Sequence, residues 1–202
     1  GYRLVALNAV TGAPIQSFGK NGIVDLKEGV VFGNRQPIDL ETGEIGLHAT
    51  PIIAKDVIVV GAAHLPGGSP RYKTHEKGFI RGYDARTGKR LWIFHTIPSP
   101  GEIGNDTWLK DSWSYTGNAG VWGQMTIDEE LGLVFLPVEL PTGDYYGGNR
   151  PGNGLFGESV VALDLKTGVR KWHYQLVHHG IWDMDIPCAP ILADITVDGK
   201  KI

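Results

Sequence analysis

The sequence predicts an all-β fold, a partial β-propeller. Three features carry that prediction: a turn motif that recurs with tryptophans, β-branched strands between its copies, and no amphipathic helix longer than about 10 residues. The motif occurs as Leu4-Val-Ala-Leu-Asn-Ala-Val-Thr-Gly12, Ile80-Arg-Gly-Tyr-Asp-Ala-Arg-Thr-Gly88 and Val160-Val-Ala-Leu-Asp-Leu-Lys-Thr-Gly168. Asn8, Asp84 and Asp164 can accept hydrogen bonds from the turn backbone, and the closing glycines can take positive φ. The second and third copies continue to Trp92 and Trp172, each placed to pack an outer strand, whereas the first has Gln16 there and departs from the pattern.

The remaining strands fall between the copies. Asp56 to Ala63 is apolar and β-branched, as a buried strand is, and Leu133 to Val138 follows the turn-like Asp128 to Gly132. The closing glycines are 76 and then 80 residues apart. Compact propeller blades need only about 40–50 residues. The excess lies in Gly/Pro-rich insertions at Leu65 to Gly78, Pro98 to Gly120 and Pro141 to Gly157, and long loops on a rigid scaffold are where function collects. Residues 1–46 read as the end of one blade, 47–97 and 118–177 as two further blades, and 186–202 as the start of another. A closed propeller has more blades, so the chain reads as a fragment, an open arc with unpaired edges.

Composition narrows the function. The net charge of -3 gives no reason to expect nucleic acid as a partner. No apolar run is long enough to span a bilayer. Cys188 is the only cysteine, so no disulfide forms within the chain.

Chemistry-bearing residues cluster in three places. His178-His-Gly-Ile-Trp-Asp-Met-Asp-Ile-Pro187 follows the third repeat, where the chain crosses to the next blade. Asp183, with Trp182 partly desolvating it, suits a general base; the alternative is that Asp183 and Asp185 bond turn backbone. Asp185 is expected to turn away toward Pro187. The neighbours His178 and His179 point to opposite faces of an extended segment, which speaks against joint metal ligation. The second cluster is the loop with Trp108, Trp113, Tyr115 and Trp122, in which an indole face can floor a flat aromatic ligand or simply pack the propeller. The third is Thr50 and His64, flanking a strand, where a structural role competes with ligand contact.

Several of these segments resemble the pyrroloquinoline quinone (PQQ)-dependent quinoprotein dehydrogenases, and among them the membrane-bound quinoprotein glucose dehydrogenase type. The resemblance rests on His178 to Ile195, Gly78 to Asp84, Tyr146-Gly-Gly-Asn-Arg150 and Phe18-Gly-Lys-Asn-Gly22, in one consistent order along nearly the whole chain. It implies about three blades of an eight-bladed propeller, inactive alone. It further implies a periplasmic enzyme, membrane-associated in its full-length form, that uses PQQ and Ca²⁺ or another divalent cation. Such an enzyme oxidises a sugar or alcohol hydroxyl and passes electrons to quinone; the remaining blades of the same propeller are its structural partners. By the same resemblance Asp183 matches the proton acceptor, Trp122 the tryptophan on which PQQ stacks, and Thr50 neighbours a position lining the cofactor pocket. Departures occur where relatives carry metal ligands: this chain has His64-Leu-Pro-Gly-Gly68 after one strand and Leu140 after another, so the metal ligands stay unknown. The alternatives are a PQQ alcohol or polyol dehydrogenase, and a non-catalytic propeller scaffold that binds protein. The scaffold leaves the Trp-Asp-Met-Asp segment and the Trp-rich loop unexplained.

Overall fold

The computed structural model describes residues 2–63 and 73–201. His64 and Arg71, with the loop around them, lie outside the described residues. A short hairpin, β1 (Arg3–Val5) with β2 (Ile23–Asp25), precedes two four-stranded antiparallel meanders. The first contains β3 (Ile52–Ala54), β4 (Val57–Val60), β5 (Ile80–Asp84) and β6 (Arg90–Phe94). The second contains β7 (Thr126–Asp128), β8 (Leu133–Val138), β9 (Ser159–Asp164) and β10 (Arg170–Gln175). A last hairpin joins β11 (Thr196–Val197) to β12 (Lys200–Lys201). The only helices among the described residues are short 3₁₀ turns, at Asn105–Thr107, Leu109–Ser114 and Gly147–Asn149.

The burial pattern explains the strand sequences. All four residues of β4 and the last five of β8 are buried, so these strands are covered on both faces and read as unbroken apolar runs. One core joins the two sheets, with Val57, Val59 and Ile80 packed among Val134, Leu136, Val161 and Leu163. The outermost strand, β10, is largely uncovered.

The recurrent turn works as its residues predict. Asn8, Asp84 and Asp164 each accept two backbone N–H bonds on Oδ1, at 2.7–3.2 Å. Gly12, Gly88 and Gly168 sit at φ 72°, 72° and 69°, a conformation a side chain strains to adopt. The Thr87 and Thr167 hydroxyls also donate to Asp84 and Asp164, which holds those carboxyls below their usual range. The structure adds a fourth copy that the repeat reading omitted, Asp39-Leu-Glu-Thr-Gly43, where Asp39 Oδ1 takes the Glu41 and Thr42 N–H groups at 2.8 and 2.7 Å.

The turns closed by Gly88 and Gly168 each dock on the unit before them. Trp92 of the first sheet is buried, and its indole N–H reaches Leu165 O of the second at 3.0 Å. A Cβ on Gly168 would come within 2.6 Å of that ring. The Gly88 turn sits in the same way on Phe18 and Val24, with Gly19 N bonded to Thr87 O at 2.8 Å. Phe18 thus does in the first unit what tryptophan does in the second, which is why Gln16 is free to depart from the pattern. Trp172 has no such turn over it and is 44% exposed. Trp92→Phe keeps most of the ring but strands the buried Leu165 carbonyl, so denaturant unfolding should show a loss of about 1–3 kcal/mol. Trp172→Phe, changing an exposed ring, should cost less.

Candidate active site

The hairpin turns lie at one end of both sheets and the long loops at the other. The loop end gathers the chemistry. After β6 the chain runs through the Trp-rich loop and returns as a ribbon, residues 117–121, stitched between the sheets. Asn118 N bonds Glu76 O at 2.7 Å and Val121 N bonds Ala62 O at 2.8 Å on one side; Thr142 N bonds Gly117 O at 3.1 Å and Glu139 N bonds Gly120 O at 2.9 Å on the other. Gly120 permits this approach, because a Cβ there would overlap the Ala62 carbonyl. The ribbon delivers Trp122 to the loop end. Ala49 and the Val121 carbonyl both crowd Gly61, which brings Thr50, exposed at the entry to β3, into the same neighbourhood.

The segment 178–187 lies across this end, held from below. Buried Arg150 donates to Thr142 O at 3.2 Å, to Gly143 O at 3.0 Å and to Gly180 O. Glu158 accepts the Gly180 N–H at 3.0 Å, and His179 Nδ1 contacts Gly152 O at 2.8 Å. Burial pushes the Glu158 carboxyl up. His178 is exposed and only His179 takes part in this anchoring.

The two aspartates of the segment go to different partners. Asp183 is exposed, at φ 53°, and Tyr145 Oη donates to its Oδ2 at 3.0 Å. Trp182 is 75% exposed and does not enclose it, so the partial desolvation expected from the sequence is absent in this chain. Asp185 points elsewhere than Asp183, as expected, but toward Trp122. It is half-buried, and it accepts the Trp122 indole N–H on Oδ2 at 3.1 Å and the Leu140 N–H on Oδ1 at 3.2 Å. Burial pushes the Asp185 carboxyl up.

Among the three loop tryptophans the roles separate. Trp108 is buried, with its N–H on Leu155 O, and packs the core. Trp113 packs partly against the core under the Arg35 guanidinium, 5.8 Å from its ring. Trp122 keeps 37% of its surface exposed.

Sequence reasoning missed Glu139. It is 4% exposed, its Oε1 has no hydrogen-bond partner, and burial followed by the nearby Asp185 charge pushes its carboxyl up to about 8. Tyr145, Arg150 and Glu158 were likewise not singled out as site residues; the only sequence signal was Arg150 at the end of the Tyr146-Gly-Gly-Asn-Arg150 motif. Among the described residues no three His, Cys, Asp or Glu side chains converge as a ready-made metal site. A separate cavity of about 1050 Å³, lined by Arg3, Lys20, Asp25, Tyr83 and Arg90, lies at the gap between the first hairpin and the β5–β6 turn, away from these residues.

Four-stranded meanders docked turn-on-ring, with polar and aromatic loops gathered at one end, define a partial β-propeller. Over residues 1–202 the chain matches the family model "PQQ: Glucose/ethanol/alcohol dehydrogenase, beta-propeller domain", and it belongs to that family. It is 36% identical over 202 residues to the quinoprotein glucose dehydrogenase of Escherichia coli K12, with 99% of this chain and 24% of that protein covered. To the quinate/shikimate dehydrogenase (quinone) of Acinetobacter baylyi it is 37% identical, covering 95% of this chain and 22% of that protein. The solved quinohemoprotein alcohol dehydrogenase of Comamonas testosteroni superimposes with a TM-score of 0.75 at 28% identity, over 99% of this chain and 28% of that one. The chain therefore spans about a quarter of the length of the relatives it matches.

Proposed function

We propose that this chain carries the general base and part of the cofactor pocket of a PQQ-dependent dehydrogenase that oxidises a sugar or alcohol hydroxyl in the periplasm and passes the electrons to quinone. The observation behind this reading is the convergence of Trp122, Thr50 and the 178–187 segment at the loop end of a chain of this family. In this reading Trp122 offers its exposed face to the flat cofactor, and Thr50 borders the same pocket. Asp183 takes the proton of the substrate hydroxyl. Tyr145 holds Oδ2 of that carboxylate by its hydrogen bond, so the substrate is met by Oδ1. Arg150 and Glu158 keep the segment, and hence the base, in register. PQQ, when bound, supplies the electrophilic carbonyl that accepts hydride.

The residues also fit a divalent cation such as Ca²⁺. Glu139 holds a buried carboxylate oxygen that no protein group satisfies, and a cation there would favour its ionised form. Glu139 occupies the place next to Leu140, at which relatives are expected to carry a metal-binding amide. In the family's sugar- and alcohol-oxidising members a cation of this kind acts as a Lewis acid; here Glu139 would hold it.

The test is reconstitution of the full-length protein with PQQ and Ca²⁺ and an assay with a quinone acceptor over a panel of sugars, polyols and simple alcohols. Turnover of none of them would overturn the reading. Trp122→Ala should weaken PQQ binding roughly tenfold or more, since a lost aromatic stack and its buried area together exceed about 1.4 kcal/mol. Unchanged PQQ affinity in that variant would make Trp122 a packing residue only.

A further inference from the structure

We infer that Asp185 is a positioning residue that clamps the Trp122 indole, setting the plane of the surface offered to the cofactor. The inference rests on the reading of Trp122 as the stacking platform. The tryptophans of this chain differ in how they use their single N–H. Trp92 and Trp108 are buried and donate to backbone carbonyls, Leu165 O and Leu155 O. Their rings are already confined by the core. Trp122 is 37% exposed, followed by Gly123, and donates to a side-chain carboxylate 63 residues away. An exposed indole with one uncovered face is free to swing about its side-chain torsions unless something outside the local backbone fixes it.

Asp185 is built for that task. One carboxylate oxygen takes the indole N–H at 3.1 Å and the other takes the Leu140 N–H at 3.2 Å. Leu140 lies two residues past the end of β8 (Leu133–Val138), so the clamp ties the ring to a buried strand of the sheet. The segment carrying Asp185 is pressed on the same place, because a Cβ at Gly123 would overlap the Pro187 carbonyl. Hydrogen bonds to a carboxylate are stronger than those between neutral groups. The second aspartate of Trp-Asp-Met-Asp thus serves the platform, while the first, two residues away, faces Tyr145.

A double-mutant cycle in the full-length protein tests the clamp. PQQ dissociation constants are measured for wild type, Asp185→Ala, Trp122→Phe and the double variant. Asp185→Ala should weaken PQQ binding about tenfold, and Trp122→Phe, which keeps a ring but loses the donor, by a similar factor. In the W122F background, Asp185→Ala should cost almost nothing further. Asp185→Asn, which retains one acceptor oxygen and the side-chain size, should fall between wild type and Asp185→Ala. Equal losses from Asp185→Ala in both backgrounds, or no loss in either, would overturn the clamp. The ¹⁵N-indole resonance of Trp122 supplies a readout independent of the cofactor. Asp185→Ala should move that resonance and speed exchange of its proton about tenfold or more. An unmoved resonance overturns the clamp whether or not PQQ binds, whereas failure of wild type to bind PQQ, with the resonance moving as expected, counts against the proposed function alone.

Discussion

Asp183→Asn should lower turnover of the full-length, PQQ-loaded protein by about 10²–10⁴-fold, the usual cost of losing a positioned general base. The amide keeps the shape of the carboxylate and can still accept the Tyr145 hydroxyl bond on its oxygen, so the segment should stay in place. PQQ affinity should therefore be close to wild type, because the Trp122 platform hangs on Asp185 and not on Asp183. The measurement is kcat and PQQ affinity together. A variant that loses the cofactor and its rate in parallel would assign Asp183 to binding; one that keeps near-normal turnover would remove it from the chemistry. Asp185→Asn is the opposite case: it should change PQQ affinity more than the rate at saturating cofactor.

A second large effect is expected from Glu139, read through stability and pH in the cation-free protein. Its carboxyl ionises near 4.5 when unfolded and is pushed up to about 8 in the fold, first by burial and then by Asp185. Between those values the folded protein holds a proton that the unfolded chain has released. Stability from this group is thus fully present below pH 4.5 and is lost as pH rises toward 8, with a limiting slope of about 1.4 kcal/mol per pH unit. Denaturant midpoints measured across that window should fall with pH in wild type and fall less steeply in Glu139→Gln, which is neutral throughout. Added Ca²⁺ should flatten the wild-type profile by favouring the carboxylate and should leave that of Glu139→Gln unchanged. Parallel profiles for the two proteins would place the pH dependence on Asp185 and Glu158 instead.

How far the molecule was legible in advance differed from residue to residue. The turns at Asn8, Asp84 and Asp164 were readable because everything that shapes them lies within five residues: one side-chain acceptor, two N–H groups and a glycine. The copy at Asp39 uses the same chemistry but breaks the 76- and 80-residue rhythm of the others, so spacing does not point to it. The partner of Trp92 lies 73 residues away, and nothing local indicates it. In the site, Trp122 and the two aspartates stood out as a dense cluster of unusual residues, but which aspartate served which partner did not. Residues two apart in one segment were sent to Tyr145 and to Trp122 by the path of loops whose order in space is a tertiary property. Glu139, Arg150 and Glu158 were hidden for a related reason. A single charge in a loop ordinarily stays in water, and these three are buried only because the ribbon at residues 117–121 and the segment at 178–187 close over them.

The separation of the two ends of the sheets has a consequence for how such proteins diversify. Every contact that passes from one sheet to the next through the recurrent turns, such as Gly168 against Trp92 and Gly88 against Phe18, sits at the hairpin end. The insertions at residues 98–120 and 141–157, which follow β6 and β8, sit at the other. Lengthening or recomposing a loop there leaves the turn-to-ring docking unaltered, and the entropy of a longer loop grows only slowly with its length. Mutation can thus explore the shape of the mouth without eroding the joints that hold the arc together, a division of labour that lets one scaffold serve relatives named for glucose, glycerol and quinate alike.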